Sequence, residues 1–279
     1  MRLDGGGTVA GPGTWEAALA AAGTSIAAVE RVLSGAGDVA YALVRPPGHH
    51  AQPDKADGSC IFNNIGIATL FALQQGIERI AIIDWDQHHG NGTQEGFYTD
   101  DRVLTVSVHM PHGRWGQNHS QRGTIDEVGS GRGVGYNLNV EVPFGAGDRC
   151  YQEVMAGGVA PVMERYQPEL LIVANGQDAN QFDPNGRSLL TMEGFRSLGR
   201  WIKEQASKHT NGRLILVQEG GYATSYTAFC AYAAIEGLLD FTPRIPDPMA
   251  YYDQSRAATI PDMEALLEHW QSLVRLVLE

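Results

Sequence analysis

The feature that most limits the fold of this sequence is a series of short apolar runs, each set apart from the next by enough residues for a helix. Residues 39–44 (VAYALV), 79–84 (RIAIID), 103–108 (VLTVSV), 169–174 (ELLIVA) and 214–218 (LILVQ), with the alternating 135–142, are rich in β-branched residues and too short for buried helices. They read as strands. Residues 61–75, 151–166, 191–207, 226–239 and 261–278 carry apolar positions at helical spacing. Near-continuous apolar strands alternating with helices imply right-handed crossovers and an α/β fold, a mostly parallel sheet with helices on both faces. The 279 residues are 43% hydrophobic and 19% charged, and no linker, charge run or repeat divides them. Residues 1–279 are therefore expected to form a single domain around one core.

Ligands of open parallel sheets bind beyond the carboxyl ends of the strands. Four polar clusters fall there: RPPGHHA after 39–44, DWDQHHGNG closing 79–84, GQDANQFDP after 169–174 and EGGY after 214–218. Asp86 and His88 lie two apart beyond a strand, so an extended backbone would point them the same way. Asp178 leaves another strand end. One imidazole and two carboxylates form a three-ligand set that leaves a position open for water, as catalytic sites do. Zn²⁺ suits it, and Fe²⁺ or Co²⁺ would too. A single Asp at a strand end is more often a turn or cap residue, but three such groups beside glycines favour a metal.

His49 and His50 follow Arg45-Pro46-Pro47-Gly48, a stiff turn at the same edge. A histidine there can take a proton from water and hand one to a leaving amine. Each needs a partner on its far nitrogen, and Asp84 and Asn91 are the candidates. The lesser alternative is that one of the two imidazoles is simply a satisfied core or surface group. Tyr222 stands where glycines let backbone approach a ligand, so its phenol could donate to an oxygen that becomes negative.

The net charge of −12 argues against nucleic acid or an anionic membrane as partner and is compatible with a cationic substrate such as a polyamine or a lysine-rich tail. No apolar stretch has the length of a membrane span, and MRLDGGGTVAG lacks the parts of a signal peptide. Cys60, Cys150 and Cys230 are widely spaced and odd in number, as expected of reduced thiols in a cytoplasm.

Taken together and in this order, RPPGHHA, DWDQHHGNGTQ, GQDANQFDP and QEGGY resemble the histone deacetylase family in its bacterial form, close to class II-like deacetylases and acetylpolyamine amidohydrolases. The resemblance runs from about Tyr41 to about Leu239. It implies an arginase/deacetylase-like α/β fold and zinc held by Asp86, His88 and Asp178. It implies that His50 serves as base and then as acid toward the leaving amine, that His49 pairs with Asp84, and that Tyr222 is the oxyanion donor. It also implies a structural potassium touching Asp84, Asp86, His88, Ser107 and Val108. Asn91, where many relatives have Asp, matches the class II-like branch. Ser59 stands where relatives place an aromatic wall of the acyl channel, so the channel is expected to be wide unless Phe62 or Trp115 fills the gap. Relatives carry a segment before the stretch matching DGGGTVAG, and this chain begins at that stretch.

The function expected is hydrolysis of an N-acyl amine, a small molecule or a peptide: acetyl-lysine, acetylpolyamine or another amide. An arginase-type ureohydrolase would share the fold but needs a two-manganese site with more carboxylates. A catalytically weak or inactive relative that binds acyl ligands is the non-enzyme alternative. A homo-oligomer is left open.

Overall fold

The computed structural model describes residues 1–4, 7–111, 122–250, 254, 257–261 and 263–278. Strands β1 (Val39–Ala42), β2 (Ile80–Asp84), β3 (Val103–His109), β4 (Asn137–Glu141), β5 (Leu170–Asn175) and β6 (Leu214–Gln218) form one sheet in the order β1-β6-β5-β2-β3-β4. Every pairing in it is parallel.

Side chains alternate across the strands and meet a different helical layer on each face. Ile80, Ile82, Ile172, Ala174, Ile215 and Val217 pack with residues of α1 (Thr14–Leu33) and α2 (Asn64–Gln74). Ala81, Ile83, Leu171, Val173, Leu214 and Leu216 pack on the other side, against residues of α6 (Met192–His209) and α7 (Thr227–Leu238). The helices α4 (Asp148–Glu153), α5 (Ala160–Tyr166) and α8 (Met263–Leu278) add to that second layer. The strands are buried on both sides, which is why their sequences are apolar without alternation.

Element ends differ from the sequence pattern for local reasons. The second helix starts at Asn64, not 61, because the Asn63 side chain accepts from Gly66 N at 2.7 Å and caps it. The helical stretch expected over 151–166 begins at Asp148 and passes through a π segment, Val154–Val159. Pro161, just beyond, has no N–H to give to an α-type bond. Two helices carry no strong apolar signal, α1 and the short α3 (Asn91–Phe97).

From β2 the chain moves outward through β3 and β4, then returns to lay β5 on the other side of β2. Loops leaving β2 and β5 therefore diverge, and a crevice opens between them at the carboxyl edge. Among the described residues no helix is long and apolar enough to cross a membrane.

Candidate active site

All four polar clusters emerge at that crevice. Asp86, His88 and Asp178 offer ligand atoms that lie within 4.8 Å of one another. The backbone is bent at residues 86–88 rather than extended, and the bend brings Asp86 and His88 to one side. Both carboxylates are fully buried. His88 Nδ1 stands 2.8 Å from Asp178 Oδ2 and 3.2 Å from Asp86 Oδ1. The remaining oxygens anchor neighbouring loops: Asp86 Oδ2 accepts from Gly220 N at 2.8 Å and Asp178 Oδ1 from Gln87 N at 2.7 Å. A Cβ at Gly220 would come within 2.5 Å of Asp178 Oδ2 and 2.7 Å of Asp86 Oδ2, so only glycine fits.

These groups suit a divalent cation. Burial and the adjacent Asp86 push Asp178 up to about 7. Burial opposes charge on His88, but Asp178 and Asp86 raise it to about 10. Without a metal, a proton has to hold the pair together, and a divalent ion would displace it. Asp178 Oδ2 is fully buried and faces His88 Nδ1 across 2.8 Å, as two ligand atoms of one ion would.

The tandem histidines sit beside this triad. His49 Nδ1 donates to Asp84 Oδ2 at 2.8 Å, and its Nε2 lies 3.7 Å from Asp86 Oδ1. Burial favours neutral His49, but the carboxylates of Asp86, Asp84 and Glu219 outweigh it and hold its pKa well above the ordinary value. His50 Nδ1 lies 2.7 Å from Asn91 Oδ1. The Asn91 amide is oriented by a bond from its Nδ2 to Asp57 Oδ2 at 3.3 Å. Its Oδ1 can only accept, so Nδ1 of His50 carries the hydrogen and Nε2 the lone pair. Burial, then the charges on His49 and His88, lower the His50 pKa well below its usual value. The two rings, 4.0 Å apart between centroids, are thus driven to opposite charge states.

Tyr222 is 42% exposed and lines a cavity of about 850 Å³ together with Ser59, Thr8, Arg45, Glu219 and Gly220. Partial burial and the negative Asp86 and Asp178 raise its pKa, so the phenol keeps its proton. Two residues absent from the sequence reading hold these loops. Asp183 Oδ2 accepts from Tyr222 N at 2.6 Å and Ala223 N at 3.1 Å, and Glu219 is buried behind the histidines. Asp183 lies within GQDANQFDP and Glu219 within QEGGY. No spacing rule marks a residue that acts on backbone amides.

Asp84 and Ser107 are direct partners in the β2–β3 register and line a cavity of about 10 Å³. Val108, the next residue on β3, is fully buried.

Ser59 lines the larger cavity, whereas Phe62 stacks edge-on against Trp15, ring centroids 5.4 Å apart. Trp115 lies outside the described residues. Ser59→Phe is expected to narrow the cavity. A bulky acyl amide should lose efficiency while a slender acetyl-lysine holds or gains, one aromatic face being worth on the order of 1–2 kcal/mol. Ser59 has φ of 70°, so some loss of Tm should accompany the change. Parallel kcat/KM values on both substrates decide it, and an equal response would take Ser59 out of the channel wall.

A buried triad that could hold a metal ion, beside two oriented histidines at a sheet switch point, has the chemistry that metal-assisted hydrolysis requires. Comparison with known proteins narrows this. The family model of the histone deacetylase domain matches residues 2–238. The chain is 50% identical over 262 residues to histone deacetylase 8 of Arabidopsis thaliana, covering 93% of this chain and 70% of that protein. It is 43% identical over 240 residues to the histone deacetylase-like amidohydrolase of Pseudomonas aeruginosa, covering 86% of this chain and 62% of the relative. The crystal structure of an acetylpolyamine aminohydrolase from Burkholderia pseudomallei superposes with a TM-score of 0.77 at 35% identity, over 85% of this chain and 66% of that one. The chain belongs to the histone deacetylase family.

Proposed function

We propose that this chain is a zinc-dependent amidohydrolase that removes an acyl group, acetyl first of all, from an amine such as acetyl-lysine or an acetylpolyamine. The observation that carries the reading is the neutral His50, its Nε2 lone pair left available by the Asn91 bond, standing beside the buried Asp86–His88–Asp178 set. Zinc held by those three residues would supply a Lewis acid that polarises the amide carbonyl and acidifies water. His50 takes the proton of the attacking water at Nε2 and returns it to the departing amine nitrogen. His49, kept cationic by Asp84 and Asp86, contributes positive charge near the carbonyl oxygen. The Tyr222 hydroxyl donates to that oxygen as it becomes negative. A potassium touching Asp84, Asp86, His88, Ser107 and Val108 would brace the same loops. The three cysteines are buried free thiols, which supports a reducing, cytoplasmic setting.

Tyr222→Phe removes a hydroxyl and little volume, so fold and zinc content should survive. The rate constant should fall about a hundredfold, as when other single oxyanion donors are removed. A kcat within about twofold of the parent would remove Tyr222 from the chemistry. The reading as a whole is tested by assaying acetylated lysine, acetylated polyamines and simple anilides against the zinc-loaded protein. Hydrolysis of at least one is expected; zinc-loaded protein that binds these amides and cleaves none would be the inactive acyl-binding relative. Among the described residues one metal-competent group is found, where a ureohydrolase needs two.

A further inference from the structure

Glu219 is only 6% exposed and lies between the β6 loop and the turn that carries the tandem histidines. Its Oε2 accepts from two successive peptide N–H groups, Gly48 at 2.9 Å and His49 at 3.1 Å. On the other side of this residue, the His49 carbonyl accepts from Gly92 N at 3.1 Å and Thr93 N at 3.2 Å, at the start of α3 next to Asn91. Asn64 Nδ2 holds the preceding turn through the Pro46 carbonyl at 3.0 Å. The His49 backbone is thereby gripped between the loop after β6 and the first turn of α3.

We propose that Glu219 is a positioning residue for the tandem histidines: by holding the amides of Gly48 and His49 it fixes both imidazoles relative to Tyr222, which lies three residues further along the loop that carries Glu219. The proposal rests on the roles given above to His49, His50 and Tyr222. Two amides converging on one oxygen define both the position and the orientation of the peptide, and bonds to a carboxylate are stronger than bonds to a neutral acceptor. The group is also costly to keep, since its second oxygen, Oε1, is buried with no hydrogen-bond partner. A neutral residue would be easier to bury, so the carboxylate answers a need other than packing. The base and the oxyanion donor come from different strands, and Glu219 ties one strand's loop to the other's.

Glu219→Ala removes the acceptor, and Glu219→Gln keeps one while removing the charge. With Ala, kcat should fall about a hundredfold, the loss that follows from a displacement of about 1 Å. KM should stay within about threefold and zinc content should not change. With Gln, at least about tenfold of the lost kcat should return, because its amide oxygen can accept both bonds. An alanine variant with kcat within about twofold of the parent, a loss confined to KM, or a glutamine variant no better than alanine would overturn the proposal. Amide hydrogen exchange read over residues 45–51 needs no activity. Gly48 and His49 should be protected in the parent and in Glu219→Gln, and faster in Glu219→Ala if that variant folds; free exchange in the parent would overturn the proposal on its own. A parent protein that exchanges slowly here but hydrolyses no acyl amine would refute the function and leave the clamp standing.

Discussion

Asp178→Asn is expected to cost this protein its metal and its rate together. Asp178 is fully buried, its Oδ2 faces His88 Nδ1 at 2.8 Å, and its Oδ1 holds Gln87 N at 2.7 Å. Asparagine keeps the shape and can still accept from Gln87, so the loop should hold. What is lost is one of the two negative charges that make the pocket attractive to a divalent ion. A metal centre supplies several kcal/mol of transition-state charge stabilisation, and each 1.36 kcal/mol is a factor of ten. A fall of about a thousandfold or more in kcat/KM is expected, with zinc well below one per chain by elemental analysis. Stoichiometric zinc with the parent rate would show that Asp178 is not a ligand.

The second large effect separates the two histidines. Asn91 gives His50 a neutral partner at 2.7 Å, whereas Asp84 gives His49 an anionic one at 2.8 Å. Burial and the neighbouring imidazolium groups lower the pKa of His50, and Asp86 and Asp84 raise that of His49 against burial. Only His50 is then free to accept a proton near neutral pH. His50→Ala should lower kcat about a thousandfold, in the range of a lost general acid–base. His49→Ala should lower it by about tenfold less, since it removes a charge and not the proton carrier. Equal losses, or a greater one for His49→Ala, would reverse the assignment.

Much of this site was legible in the sequence because its chemistry sits on side chains placed directly after strands. Parallel strands end at one edge, so Asp86, His88, Asp178, His49, His50 and Tyr222 had to converge there once the strands were recognised. Asp84 and Asn91 were candidate partners because they flank Asp86 and His88, and the family resemblance indicated which histidine pairs with which. Other features gave no such signal. Helix α1 buries Ala18, Ala21, Ala22, Ser25 and Ala28, a stripe of small residues that an apolar pattern barely marks. The bend at residues 86–88 does with backbone torsion what an extended strand would have done with alternation. Asp183 and Glu219 act on peptide N–H groups, which every loop has, so their targets appear only when the loops are folded together. Ser59 was expected in the channel wall and does line the cavity, while Phe62, a possible substitute, is engaged by Trp15.

The most direct measurement is a zinc titration of chelator-treated protein, followed with a fluorogenic acetyl-lysine substrate. Hydrolysis should be absent in the metal-free protein, rise with added zinc and saturate near one equivalent per chain. Full activity in zinc-free protein, or none at any zinc concentration on any acylated amine, would contradict a metal-dependent amidohydrolase.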